Sequence, residues 1–257
     1  MIVRRIGSFL GWLALSALVA PPVYACWLSF SPDEFLTPPI REWSLGWYGD
    51  FFRSPRWMAA LKESLHVGVL AVTCSLATGL PLAYALARLH FRGESILLGA
   101  ILLPLVAPPL LLAISLLPVV QMLGLWGTST SLALAHALYG MPMVCWLTRS
   151  ALLGANPDVE NAARGLGASS WRVVHRITLP LIGPSVLAGA VMAFVLSLNE
   201  FIFSLFLATP ETETLPRVLW PSLRYSLSPL VAVASCAMTL VTAAGIGGVA
   251  WLVWRGR

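Results

Sequence analysis

The sequence predicts an all-α membrane protein with about six transmembrane helices, and two observations support this fold class. First, 58% of the 257 residues are hydrophobic and only 11% are charged, whereas a soluble domain carries about 25% charged residues. Second, the apolar residues form long runs with few or no charges, each close to or above the roughly 18 residues that mark a spanning helix. The six runs are residues 7–30, 64–87, 96–120, 131–148, 182–208 and 230–254.

The first run allows two interpretations. Arg4 and Arg5 precede it, as in a secretory signal, and the stretch Val23-Tyr24-Ala25-Cys26 loosely resembles a lipoprotein processing site. The apolar run nevertheless continues beyond the cysteine through Trp27-Leu28-Ser29-Phe30. We therefore expect an uncleaved helix.

Prolines interrupt the second, third and fourth runs. Each proline removes a backbone hydrogen bond, so in lipid it persists only where neighbouring groups satisfy the freed carbonyl. Such helices bend, either as packing kinks within a bundle or around a transport path, and proline content leaves both interpretations open. The prolines concerned are Pro81, Pro104, Pro108, Pro109, Pro118 and Pro142.

The distribution of basic residues predicts the orientation in the membrane. If both termini face the cytoplasm, ten of the 16 basic residues lie on that side, close to helix ends. The positive-inside rule favours this arrangement. The formal net charge of +5 then reflects membrane topology, and no nucleic-acid partner is implied.

Several chemistries lack their motifs. The four cysteines fall in four different runs without CxxC spacing, and the four histidines form no HExxH pair. The only lysine, Lys62, follows Leu61, so the chain has no phosphate-binding loop. A Gly-x-Ser-x-Gly elbow is also missing. We therefore expect no catalytic residue, metal site or cofactor on this chain, and no ATP hydrolysis by it.

Residues 154–180, between the fourth and fifth runs, are polar and basic. Asn156-Pro157-Asp158 is typical of a helix start, and Gly165 and Gly167 allow a sharp turn. Ser169 or Ser170 can cap a second short helix, which we expect Leu179-Pro180 to end. The segment is predicted to be a helix–turn–helix on the cytoplasmic face of the membrane.

Such a hairpin could be a lipid-headgroup anchor or a docking surface. An amphipathic basic hairpin fits the membrane interface. The adjacent Ala162 and Ala163, however, bury little area in lipid and permit close approach of another protein, so they favour docking.

The spacing within this segment resembles the EAA loop of bacterial ABC importer permeases, in which EAA is followed by three residues, Gly, nine residues, Ile, any residue and Leu-Pro. Asn161 stands at the family's glutamate position, with Glu160 beside it. The other matching positions are Ala162, Ala163, Gly167, Ile177, Leu179 and Pro180.

This resemblance implies the type I importer permease fold, with residues 1–257 as a single transmembrane domain and 154–180 as its coupling loop. It implies that these loop residues dock onto an ATPase whose closure rocks the spans between inward and outward access. The implied partners are a second, different permease subunit, two ATP-binding subunits that hold ATP and magnesium, and a periplasmic binding protein. The implied location is the bacterial inner membrane.

Further stretches resemble the spermidine/putrescine-type subgroup of these permeases. They are Trp47-Tyr48, Glu63-Ser64-Leu65, Ala85-Leu86-Ala87-Arg88 and residues 197–216. The resemblance implies a small solute, with a polyamine-like cation favoured. An aminophosphonate or an amino-acid derivative is the alternative, since similar permeases carry other solutes.

Asn199-Glu200 is a second candidate site, because Glu200 is the one acid well inside an apolar run. A carboxylate near a helix centre costs on the order of 3 kcal/mol on insertion scales, so it normally faces a cavity or a partner. Glu200 could contact a cationic solute on the translocation path. Because related permeases for uncharged sugars carry Asn-Glu at a similar place, a structural or gating role is favoured.

Two further function classes remain. A secondary transporter usually has an internal repeat and several intramembrane charges, and neither is apparent here. A membrane-embedded enzyme needs a polar cluster at one depth, whereas the histidines are scattered. Copurification of an ATPase would separate the importer subunit from both alternatives.

Overall fold

The part of the chain that the computed structural model describes, residues 2–33, 40, 42–225 and 229–255, is built from helices, and no strand occurs within it. Besides the α-helices, this part of the chain contains a short π-helix, Val174–Thr178, and a short 3-10 helix, Pro210–Thr212. The α-helices are α1 (Ile2–Leu28), α2 (Gly46–Arg53), α3 (Pro55–Arg88), α4 (Glu94–Val106), α5 (Pro109–Met122), α6 (Ser129–Gly154), α7 (Pro157–Gly165), α8 (Ser170–Val173), α9 (Leu179–Asn199), α10 (Ile202–Leu207), α11 (Leu215–Tyr225) and α12 (Pro229–Arg255).

Within the described residues, five helical segments are long and apolar enough to cross a membrane, and one bent pair of helices gives a sixth if it is counted as one span. The all-α fold with about six membrane helices is thereby confirmed. The five segments are Gly7–Leu28, Pro55–Arg88, Ser129–Gly154, Ser170–Asn199 and Pro229–Leu252.

The third predicted run, residues 96–120, is not one straight helix. It forms α4 and α5, whose axes are bent by 104° at the break between them. Ala107 is extended, with φ −69° and ψ 140°, because the ring of a following proline disfavours the helical conformation. Pro109 then begins α5 at a position where its missing N–H is not needed.

The fifth predicted run, residues 182–208, is interrupted as well. α9 ends at Asn199, Glu200 is extended with φ −78° and ψ 116°, and α10 begins at Ile202. Glu200 therefore lies at a break between two helices and not in the middle of one.

The chain divides into two compact units. The first comprises Met1–Ala59 and Val218–Ala243. Within it the hydroxyls of Ser29 and Tyr48 lie 2.6 Å apart and join the end of α1 to α2. The exposed apolar side chains along α1 are suited to lipid.

The second unit comprises Ala60–Arg217 and Ala244–Arg257, and its centre is the packing of α6 against α9. Small residues bring these helices close together: a Cβ added to Gly189 would lie 3.1 Å from the Cα of Val144. Gly140 faces the side chains of Ser75 on α3 and Ala193 on α9 with no space for a Cβ. In lipid, apolar surface provides no hydrophobic driving force between helices, so close van der Waals packing of this kind stabilises their association.

Candidate functional site

The helix α7 begins as the sequence predicted. The side chain of Asn156 accepts a hydrogen bond from the backbone N–H of Asp158 at 2.9 Å, and Pro157 occupies the first turn. This arrangement satisfies a backbone donor that the helix leaves free. Asp158 is an acid at the positive end of the helix dipole.

The turn after α7 depends on one of the two glycines. Gly167 has φ +86°, whereas Gly165 lies inside the last turn of α7 without a positive φ. The N–H of Gly167 donates to the carbonyl of Arg164 at 2.9 Å, and the N–H of Ala168 donates to that of Ala163 at 3.0 Å. This pair of bonds is the Schellman motif, which requires a left-handed residue at the position of Gly167.

The second helix of the loop does not end at Leu179-Pro180, contrary to the prediction. The Ser169 side chain caps α8 by accepting from the N–H of Arg172 at 3.4 Å. The chain then continues through the π-helix into α9, so Ser170–Asn199 is one helical segment. A π-helical turn is wider than an α-helical one, which accommodates the ring and the missing N–H of Pro180 without ending the helix.

The loop presents several of the predicted docking residues on its surface. Asn161, Ala162, Gly167 and Pro180 are exposed. The remaining small and apolar positions are half-buried, namely Ala163, Ile177 and Leu179.

Two large apolar side chains that the sequence did not single out for docking are also exposed. Leu166 is 90% exposed and Trp171 is 74% exposed. The signal for Leu166 was its place between two glycines in the predicted turn. We define the docking surface as Asn161, Ala162, Leu166, Gly167 and Trp171.

Glu160 does not belong to the docking surface, although the sequence suggested it. Its side chain is 2% exposed and points inward. Arg88 donates to Oε1 of Glu160 from Nε at 3.2 Å and from Nη2 at 3.1 Å. Arg164 donates to its Oε2 at 3.2 Å. A buried carboxylate with two guanidinium partners is held in place by charge-assisted hydrogen bonds.

A cavity of about 300 Å³ lies behind the loop, between α3, α6 and the start of α9. Apart from the polar groups of Tyr84, Thr148, Trp171, His175 and Thr178, its described walls are apolar. None of the described residues that line it is an acid, a lysine or an arginine, so these walls are unsuited to a polyvalent cation.

Asn199 and Glu200 have different surroundings. The amide of Asn199 donates to the carbonyl of Val195 on its own helix at 2.8 Å, and this side chain is exposed. Oε1 of Glu200 accepts from the backbone N–H groups of Ile202 at 2.8 Å and Phe203 at 3.1 Å. The carboxylate thus satisfies two free donors at the start of α10. No cluster of histidine, cysteine or acidic side chains able to hold a metal ion occurs within the described part of the chain.

Comparison with known proteins identifies similar chains. The family described as binding-protein-dependent transport system inner membrane component matches residues 79–255. The putrescine transport system permease protein PotI of Escherichia coli K12 is 31% identical over 250 residues, which cover 94% of this chain and 87% of PotI. The spermidine/putrescine transport system permease protein PotC of the same strain is 32% identical over 185 residues, covering 72% of this chain and 70% of PotC.

A third relative carries a different name. A probable molybdenum ABC transporter permease protein of Haloferax volcanii is 35% identical over 193 residues, again covering 72% of this chain and 70% of the relative.

Solved structures share the fold. A bacterial alginate ABC transporter, in complex with a periplasmic protein bound to an alginate pentasaccharide, superposes with a TM-score of 0.73 at 14% identity, covering 95% of this chain and 91% of its own. An inward-facing form of the MetNI methionine ABC transporter gives a TM-score of 0.64 at 15% identity, covering 79% of this chain and 98% of its own.

Proposed function

Since the chain belongs to the binding-protein-dependent transport system inner membrane component family and is a permease of the ABC importer type, we propose that its cargo is a small polyamine-like cation. The observation that carries this proposal is the 31% identity to a putrescine permease over 94% of the chain. An oxyanion is the second candidate, because the relative named for molybdenum is 35% identical over 72% of the chain.

We propose that the chain does not hydrolyse ATP and works with separate subunits. Two ATP-binding chains bind ATP and magnesium. A second, different permease completes the membrane-spanning part, and a periplasmic binding protein delivers the solute. The alginate transporter captured with its periplasmic protein supports the last of these partners through the shared fold.

The proposed arrangement places this multi-pass protein in the inner membrane, with both termini and residues 154–180 in the cytoplasm. Residues 1–257 then form one permease domain that contains the loop. The support is the distribution of arginines, ten of 16 basic residues lying on the proposed cytoplasmic side.

The docking surface is proposed to bind the ATPase. Its exposed apolar side chains, Leu166 and Trp171, would be stabilised by burial in a protein groove, and the exposed Ala162 permits close contact. Ile177, Leu179 and Pro180 lie in the continuous helical segment that runs into α9. A displacement of the docked loop would therefore move α9 as a rigid body, in a two-state change biased by nucleotide.

Glu200 is proposed to act at a gate. Its side chain holds the break between α9 and α10 through two backbone N–H groups, and such breaks are places where a helix can bend. Because both donors engage the same carboxylate oxygen, the second oxygen remains the candidate contact for a cationic solute. Asn199, bonded to its own helix, is proposed to support the gate.

Uptake into proteoliposomes tests the cargo. The complex, reconstituted with its ATPase and binding protein, is supplied with labelled putrescine, spermidine or molybdate and with ATP inside the vesicles. We expect ATP-dependent uptake of a polyamine and none of molybdate. Uptake of molybdate alone would replace the proposed cargo with the second candidate, and uptake without ATP would contradict the importer mechanism.

A further inference from the structure

A buried ion network fastens the end of α3 to α7. Arg88 is the last residue of α3, and its guanidinium donates two hydrogen bonds to Oε1 of Glu160. The side chains of Arg88 and Glu160 are 13% and 2% exposed. Burying two charged side chains to this extent is unfavourable unless both are well paired. The geometry of the Arg88–Glu160 pair is therefore tightly constrained.

The same guanidinium also reaches the end of α6. Nη1 of Arg88 donates to the carbonyl of Leu152 at 2.8 Å, and Nη2 lies 3.5 Å from that of Ala155. The final carbonyls of a helix lack partners within it. Arginine carries five N–H donors in a planar fork, whereas a lysine ammonium is a compact point charge. One arginine thus joins three helices.

The network returns to α3 through a second arginine. Arg164 donates to Oε2 of Glu160 at 3.2 Å, to Oδ1 of Asn161 at 3.0 Å and to the hydroxyl of Tyr84 at 3.2 Å. Asn161 belongs to the docking surface, so the network extends from α3 to the face that is proposed to meet the ATPase. We call Arg88, Glu160, Arg164 and Tyr84 the ion clamp.

We infer that the ion clamp positions the coupling loop and transmits its displacement to α3 and α6. This inference rests on the proposed docking of the loop. The loop is attached to α9 through a continuous helix, and α3 is distant from it in sequence, since Arg88 and Glu160 are 72 residues apart. Through the clamp, a movement of α7 carries the ends of α3 and α6 with it, so that three spans respond together. Arg88 and Glu160 are positioning residues.

The test uses Arg88→Lys, which keeps the positive charge and removes the fork. Its matched control is Arg149→Lys. Arg149 donates to Glu94 at 3.2 Å and to the carbonyl of Leu86 at 3.3 Å, and so forms an ion pair whose described hydrogen bonds go to α4 and α3, not to the loop.

The first readout is the position of the loop, measured without an ATPase. Spin labels are placed at Leu166→Cys and Val69→Cys, two exposed sites on the loop and on α3, in a chain whose native cysteines are replaced by alanine. We expect a narrow distance distribution in the parent chain and in Arg149→Lys, and a broader one in Arg88→Lys. An unchanged distribution in Arg88→Lys would overturn the inference.

The second readout is solute transported per ATP hydrolysed in the reconstituted complex. We expect this ratio to fall by about 2- to 30-fold in Arg88→Lys, with the ATPase still copurifying in normal amount. Arg149→Lys should keep the native ratio. If no ATPase copurifies with the parent chain, the proposed docking is contradicted. The role of the ion clamp is decided separately, by the spin-label distance distribution.

A double variant, Arg88→Met with Glu160→Met, separates positioning from stability. Replacing a buried ion pair by apolar side chains of similar size is often neutral or stabilising, so the amount of folded protein should be retained. We expect the distance distribution to stay broad and the transport ratio to stay low. Recovery of both to native values would assign the clamp to stability alone and overturn the inference.

Discussion

Gly167 allows the proposed docking geometry to be tested by backbone strain alone. Its φ of +86° lies in the left-handed region, and no atom lies within 4 Å of the place where a Cβ would stand. A Cβ at this position therefore meets no neighbour among the described residues beyond Leu166 and Ala168. An L-residue held in this conformation costs roughly 1–2 kcal/mol, and the cost applies to the Schellman turn that sets the angle between α7 and α8.

This free energy converts directly into a population of loop conformations. A penalty of about 1–2 kcal/mol lowers the ratio of the native turn to alternative turns by about 5- to 30-fold. The apparent Kd of the ATPase for the membrane-embedded chain rises as the fraction of chains in the native turn falls, by up to the same factor. We expect Gly167→Val to lie at the upper end of this range and Gly167→Asn near the native value, because asparagine tolerates the left-handed region.

Surface plasmon resonance with the chain in lipid nanodiscs and the ATPase in solution measures this Kd. Gly124→Val is the matched control, since Gly124 has φ +67° and open space around it but lies between α5 and α6, away from the loop. An unchanged Kd in Gly167→Val would refute the docking geometry. An equal rise in Gly124→Val would also refute it, because the change in Kd would then not depend on the loop.

Three further predictions address topology, folding and the gate. In intact cells, Ala168→Cys should not react with a membrane-impermeant thiol reagent, and reaction would invert the proposed orientation. Gly127 has φ +76°, and a Cβ there would lie 2.5 Å from the side chain of Thr209. The Tm of Gly127→Ala should therefore be lower than that of Gly124→Ala by at least about 2–4 °C. Equal Tm values in the two variants would contradict this packing. Glu200→Gln keeps an acceptor oxygen for the N–H donors at the start of α10, so the variant should assemble normally. Its transport should be slow, and the loaded binding protein should stimulate the ATPase activity poorly. Glu200→Ala, which has no acceptor, should also reduce the yield of folded protein. Native transport rates in Glu200→Gln would remove this carboxylate from the mechanism.

The parts of the fold that follow local rules could be predicted from the sequence. Long apolar runs predicted the spans, because lipid requires every backbone polar group to be satisfied within a helix. The cap at Asn156 and the left-handed turn at Gly167 also follow from the chemistry of single residues. Each of these features is decided within a few positions of the chain.

Direction changes were harder to predict. The prolines around residue 108 indicated a kink, but the 104° bend between α4 and α5 depends on the packing of both helices, which hydropathy does not report. The opposite error occurred at Leu179-Pro180. Proline usually ends a helix, yet the π-helical turn before it allowed the helix to continue.

The position of Glu160 depended on a residue distant in sequence. Its neighbour Asn161 occupies the motif position, and adjacency suggested that both residues face the partner. On a helix, however, successive residues point about 100° apart, and Arg88 provided an inward partner for the carboxylate. The stretch Ala85-Leu86-Ala87-Arg88 marked the end of a span, but the sequence alone did not indicate that its arginine crosses to the loop.

Photo-cross-linking from the docking surface tests most directly whether this permease is driven through residues 154–180. A benzophenone amino acid replaces Leu166, which is 90% exposed, and in a second chain it replaces Leu240, which is 61% exposed on α12. After irradiation of intact membranes, mass spectrometry identifies the cross-linked chains. The proposed function predicts a cross-link from position 166 to a subunit carrying a phosphate-binding loop, and none to that subunit from position 240. Cross-links from position 166 to lipid alone would contradict it and assign the loop to the membrane surface.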